Sequence, residues 1–204
     1  MSKLKMNIAI LASGNGTNFE AIAKAVKQGY IKANIKLLLT DKENAFVRKR
    51  AARFNIRELY IDPRKFNSRL DYDKEILGLL KKEKIDLIVL AGFMRILSLE
   101  FVKFFKNKIL NIHPALLPAF KGEDAIRMAY DCGSKVTGVT VHFVDEKVDN
   151  GPIILQEAVS IDEGMTLPEL EEKIHRIEHK LYPYVIKLYI QKRLKARGRH
   201  VKII

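Results

Sequence analysis

Four short apolar runs recur in the first half of the chain: Asn7 to Ala12 (NIAILA), Ile35 to Leu39 (IKLLL), Ile85 to Ala91 (IDLIVLA) and Lys108 to Ile112 (KILNI). Runs this short and this rich in branched residues suit strands buried on both faces. Between them lie segments of helical period. Phe19, Ile22, Ala23 and Val26 fall on one side of a helix over Asn18 to Gln28, as do Tyr72, Ile76, Leu79 and Leu80 over Asp71 to Glu83. Such alternation leaves few architectures open and predicts an α/β fold with a doubly wound, mostly parallel sheet. The pattern changes after Gly133. Val136 to Val144 alternates, Asp145 to Gly151 is a loop and Pro152 to Ile161 reads as a returning strand, so an antiparallel hairpin is expected on the sheet. A long C-terminal helix follows from about Leu167 to Gln191, then a small strand pair around Gly198.

Neither a repeat nor a linker interrupts this order, and 204 residues with 48% hydrophobic content can bury one core. Residues 1–204 are therefore expected to form a single domain. The apolar run near the start is far too short for a membrane span, and Cys132, the one cysteine, has no disulfide partner. Both point to a cytoplasmic protein. The 37 basic against 24 acidic residues give a net charge of +13, which favours anionic partners. Much of the excess sits at Lys192, Arg193, Lys195, Arg197, Arg199 and Lys202, a tail without acids. Basic residues on a strand edge also discourage aggregation, so the tail reads first as a solvated face and only second as a nucleic-acid contact.

In sheets of this kind ligands bind beyond the carboxyl ends of the strands. Ser13-Gly14-Asn15-Gly16-Thr17-Asn18 follows the first strand and opens a helix, where glycines and free N–H groups can cradle a phosphate. Phe19 stands where a dinucleotide loop needs its third glycine, and no Gly-Lys-Ser/Thr follows, so a monophosphate suits the loop better than a pyrophosphate. The same loop is equally consistent with a plain turn capped by Thr17 or Asn18. Ala91 to Leu97 (AGFMRIL) follows the third run with apolar side chains and free backbone groups, either a heterocycle site or ordinary core. Asn111 and His113 share one side of the fourth strand, offering an amide donor and a group that exchanges protons near neutral pH. Asp145, Glu146 and Asp149 crowd the later loop without calcium-site spacing, and His142 is expected to alternate into a sheet face rather than bind a metal.

Together SGNGTN, LAGFMRIL, NIHPALLPAFKG and GVTVHFVDEKVDNGPII resemble the folate-dependent formyltransferases over nearly the whole chain, and SGNGTN with IEHKLYP resembles the phosphoribosylglycinamide formyltransferase family among them. The resemblance implies a Rossmann-like formyltransferase fold and a transferase of purine (IMP) biosynthesis that uses 10-formyltetrahydrofolate and 5-phosphoribosylglycinamide without a metal. It implies Asn111, His113 and Asp149 as catalytic residues. Gly16, Thr17, Asn18 and Glu178 would hold the phosphoribosylglycinamide, and Arg69, Met94, Arg95, Ile96, Leu97, Asn111, Asp145 and Asp149 the folate. The chain departs from relatives at Ala115, Lys121 and Asn150, and Asp124 and Ile126 stand where some relatives carry histidines.

That reaction needs an oxyanion stabilised, protons moved between two nitrogens and water excluded. Asn111 and a protonated His113 would share the oxyanion, with Asp149 orienting the ring and favouring its charge. A methionyl-tRNA formyltransferase would carry a further carboxyl-terminal domain and a formyltetrahydrofolate deformylase a further amino-terminal one. Neither is expected here. A basic nucleic-acid-binding module is the non-enzymatic rival, and nucleic acid is not the favoured partner. A monomer or homodimer is expected.

Overall fold

The structure, a computed structural model, describes residues 5–204. Its elements divide into two compact units, with the division between Leu110 and Asn111.

In the first unit, β1 (Met6–Leu11), β2 (Ala33–Thr40), β3 (Glu58–Tyr60) and β4 (Leu87–Leu90) lie in the order β3-β2-β1-β4. Each neighbouring pair runs parallel. Ile8, Ala9, Ile10, Leu37, Leu38, Leu39, Leu87, Ile88 and Val89 are fully buried, which is why these runs carry no alternation. The connecting helices are α1 (Thr17–Lys27), α2 (Phe46–Arg53), α3 (Arg69–Lys82) and α4 (Leu99–Phe104). Helices α1 and α3 match the expected segments within two residues, and α1 buries Phe19, Ile22, Ala23 and Ala25. Neither α2 nor β3 was foreseen. Helix α2 (FVRKRAAR) buries only Val47 and Ala51, and β3 (ELY) is three half-buried residues, too little of either to show a period.

β5 (Ile109–His113) contains the division point. The second unit continues with α5 (Ala125–Asp131), β6 (Val136–Phe143), β7 (Ile153–Ser160), α6 (Leu167–Ile190), β8 (Leu194–Arg197) and β9 (His200–Ile203). Its strands lie in the order β5-β6-β7-β9-β8. β6 and β7 form the expected antiparallel hairpin, whose register shifts between Val141 and His142. Such a shift bends a strand and re-aims its side chains. β8 and β9 form the expected pair, tied to β7 through Ile153 and His200. Helix α6 starts with Thr166, whose N–H donates to the Glu169 carboxylate at 2.7 Å, and with a proline at its first turn. It buries Leu170, Ile174, Leu181, Tyr182 and Val185 along one side.

Candidate active site

The second unit gathers four polar side chains at the end of β5. Alternation along β5 puts Asn111 and His113 on one face, and the loop after β6 brings Asp149 to both. Asn111 Nδ2 donates to Asp149 Oδ1 at 3.3 Å, and His113 Nδ1 lies 3.3 Å from Asp149 Oδ2. The fourth group is His142, whose Nε2 lies 3.2 Å from Asn111 Nδ2 and 3.7 Å from Asp149 Oδ1. His142 lies within β6, and the reading of the sequence gave it no part beside these three residues. It sits at the register shift of β6 and is 2% exposed, facing the other three. Its Nδ1–H donates to the Phe143 carbonyl at 2.7 Å, so Nε2 is left to accept from Asn111.

A second missed element is the turn after β5. His113 Nε2 donates to the Phe120 carbonyl at 2.7 Å, and the Gly122 N–H donates to Asp149 Oδ2 at 2.9 Å. Phe120 and Asp149 both hold positive φ, of 50° and 44°. Two segments distant in sequence thus bracket the imidazole and the carboxylate. AFKG was read only as part of a family motif, and nothing in it named a bonding role.

Burial is the largest influence on His113 and holds its pKa below the ordinary 6.5, while the Asp149 charge and the Phe120 bond pull the other way. Burial pushes Asp149 up, yet contacts from His142, Gly122 and His113 outweigh it and leave the carboxylate below its ordinary 3.8. Oxygen acceptors thus face both ring nitrogens of His113. One proton satisfies one acceptor, and only a second satisfies the other.

Asn150 joins the carboxylate loop to its surroundings. Its Nδ2 donates to Asp145 Oδ2 at 2.9 Å, its Oδ1 accepts from Lys121 Nζ at 3.2 Å and its carbonyl accepts from Arg199 Nη2 at 2.8 Å. Two of the departures noted in the sequence, Lys121 and Asn150, thus bond each other. The third, Ala115, offers its carbonyl to the Thr140 hydroxyl at 2.6 Å. Glu178 of α6 is 4% exposed and accepts from His175 Nδ1 at 2.8 Å. That bond raises the His175 pKa above 6.5 against the opposing effect of burial.

In the first unit the glycine loop leads into α1. Gly16, at φ 79°, takes the position before the helix and offers no side-chain cap, with Thr17 and Asn18 following inside α1. A Cβ at Gly16 would lie 2.5 Å from the Val47 Cβ, which no packed side chain permits. The Met94 N–H donates to Ser13 Oγ at 2.9 Å, and the Ser13 N–H donates to the Gly92 carbonyl at 2.8 Å. The glycine loop and the AGFMRIL loop are thereby held side by side. Within the latter, Met94 is 60% and Ile96 56% exposed while Leu97 is buried, so its side chains are not simply core. Arg95 stacks its guanidinium 4.8 Å from the centre of the Tyr72 ring, and Arg69 is exposed at the start of α3. Buried Asp73 accepts from the Ser98 N–H at 2.5 Å and fixes the end of the loop.

Among the described residues, no helix is long and apolar enough to cross a membrane, and no group of three His, Cys, Asp or Glu side chains could hold a metal ion.

The chain matches the formyl transferase family over residues 6–186. It is 45% identical over 179 residues to a phosphoribosylglycinamide formyltransferase of Bacillus subtilis, covering 88% of this chain and 92% of that one. To the Escherichia coli protein of the same name it is 39% identical over 190 residues, covering 93% and 90%. The crystal structure of glycinamide ribonucleotide transformylase 1 from Symbiobacterium toebii superposes with a TM-score of 0.95 at 42% identity, covering 98% of this chain and 94% of that one.

Proposed function

The chain belongs to the formyl transferase family, and we propose that it moves the formyl group of 10-formyltetrahydrofolate to the primary amine of 5-phosphoribosylglycinamide. The products are formylglycinamide ribonucleotide and tetrahydrofolate, a step of purine synthesis. The observation that carries this reading is that Asn111 and His113 each lie 3.3 Å from the Asp149 carboxylate. The amine attacks the formyl carbon, a C–N bond forms, and the carbonyl becomes an oxyanion in a tetrahedral intermediate. Asn111 Nδ2 donates to that oxygen. Its present bonds of 3.2 and 3.3 Å are at the long end, so exchanging one for the oxyanion costs little. His113 takes the proton that the attacking nitrogen sheds, a charge favoured by Asp149 and by the Phe120 carbonyl, and gives it to N10 as the C–N10 bond breaks. His142 holds the Asn111 amide through Nε2.

Gly16, Thr17 and Asn18 take the phosphate at the start of α1, with Glu178 on the sugar or glycinamide. Arg69, Met94, Arg95, Ile96 and Leu97 take the folate, joined by Asn111, Asp145 and Asp149. Residues 1–204 act as one catalytic domain, as a monomer or homodimer, in the cytoplasm.

The test is an absorbance assay of tetrahydrofolate release with and without phosphoribosylglycinamide. Release that requires the amine supports transfer. Equal release without it means hydrolysis and overturns the reading.

A further inference from the structure

The proposed phosphate loop is gripped from outside by a residue that the loop motif does not include. Arg50 of α2, with its side chain 17% exposed, donates from Nε to the Asn15 carbonyl at 2.9 Å and from Nη2 to Asn15 Oδ1 at 2.7 Å. Its Nη1 pairs with Glu20 of α1. One turn earlier the Val47 N–H donates to the Gly14 carbonyl at 3.2 Å, so α2 holds two successive loop carbonyls. A trans peptide is planar, with its C=O and the following N–H pointing in opposite directions. Drawing the carbonyls of Gly14 and Asn15 toward α2 therefore turns the N–H groups of Asn15 and Gly16 away from it. Among the described residues nothing accepts from the N–H of Asn15, Gly16 or Thr17. These are the donors an anion would take.

We infer that Arg50 is a positioning residue for ribonucleotide binding: it sets the Asn15–Gly16 peptide so that its N–H faces the phosphate, without touching the phosphate. The inference rests on the reading of Gly16 to Asn18 as the phosphate site. Two acceptors at a fixed fork angle suit guanidinium and not ammonium. Lysine in its place keeps the charge and loses the two-point grip. That separates a positioning role from simple attraction of an anion by a nearby cation.

The experiment compares wild type with Arg50→Lys, Arg50→Met and Asn15→Ala, measuring KM for phosphoribosylglycinamide, kcat, the inhibition constant for inorganic phosphate, and folate affinity by calorimetry. Both Arg50 variants should raise the ribonucleotide KM and the phosphate constant by about tenfold, the scale of one charge-assisted contact. Asn15→Ala, which keeps the backbone bond, should raise them by a few fold. The value of kcat should stay within about twofold and folate affinity should not move. Full rescue by lysine overturns the inference, as does an unchanged KM in Arg50→Met. If Arg50→Met fails to fold, Arg50→Lys and Asn15→Ala still decide. The underlying reading is tested separately on wild type, by NMR shifts of the Asn15 to Asn18 amides on adding phosphate. No shift there sinks the phosphate site itself, whereas a shift in wild type with unaltered Arg50 variants sinks only the role of Arg50.

Discussion

The two units build their candidate sites from different materials. In the first, the glycine loop offers backbone N–H groups, and a side chain from α2 serves to fix its peptide planes, as Arg50 does for Asn15. In the second, the reacting groups are side chains, and the backbone serves them, as the Phe120 carbonyl and Gly122 N–H serve His113 and Asp149. A site made of backbone depends on shape and fails when atoms are added. A site made of side chains depends on charge and fails when a charge is removed.

The strongest way to break that contrast is to replace Asp149 by Asn. This keeps the shape and removes the charge. We expect turnover to fall by about 10²–10³, the usual loss when an oriented oxyanion donor is spoiled, with ribonucleotide and folate binding within a few fold. The His113 pKa, already lowered by burial, should fall further, because the opposing charge has gone. Turnover measured beside an NMR titration of His113 checks both; near-normal turnover with an unshifted ring would remove Asp149 from the mechanism.

Next in size is Gly16→Val, which adds atoms and no charge. The new side chain meets Val47 and takes an unfavourable positive φ. Ribonucleotide KM should rise by on the order of tenfold or more through lost N–H contacts, while the titration of His113 stays put. Calorimetry showing folate binding lost and ribonucleotide binding intact would reverse the assignment of the two subsites.

The smallest effect concerns acid stability. His113 has a depressed pKa, so the unfolded chain binds its proton more readily, and stability is lost as pH falls below 6.5 toward the folded value. Asp149 adds stability above its ordinary 3.8 that is lost as pH falls through its lowered value. His175 has the opposite sign: its contribution is full below 6.5 and is lost as pH rises through the raised value. His113→Gln should flatten the acid side of a plot of unfolding midpoint against pH, and His175→Gln the neutral side. Unchanged curves in both variants would show that neither ring is coupled to folding.

The same difference in materials decides what could be read without a structure. Glycines and a helix start are local, so the loop at Gly14 and Gly16 was visible in six consecutive residues. Asn111 and His113 were visible because a strand repeats every two residues. Their link to Asp149 came only from resemblance, because it lies 36 positions beyond His113 (149 less 113) and no period spans a loop. His142 was given no part beside Asn111 and Asp149 because the register shift of β6 at which it sits has no sequence signature. Arg50 was missed for a related reason: α2 shows no apolar stripe, so its arginines had no face to be assigned to.

The β8–β9 pair places Lys195 opposite Lys202. Like charges across an antiparallel ladder work against it, and the ladder joins the rest of its sheet through one register pair, Ile153 with His200. Its amides should therefore exchange with deuterium well before those of β6, through a local opening that leaves the remaining hydrogen bonds intact. Each such opening would release Arg199 from the Asn150 carbonyl, next in sequence to Asp149. Added salt screens the facing cations, so protection of these amides should grow with ionic strength over the range in which most surface contacts weaken.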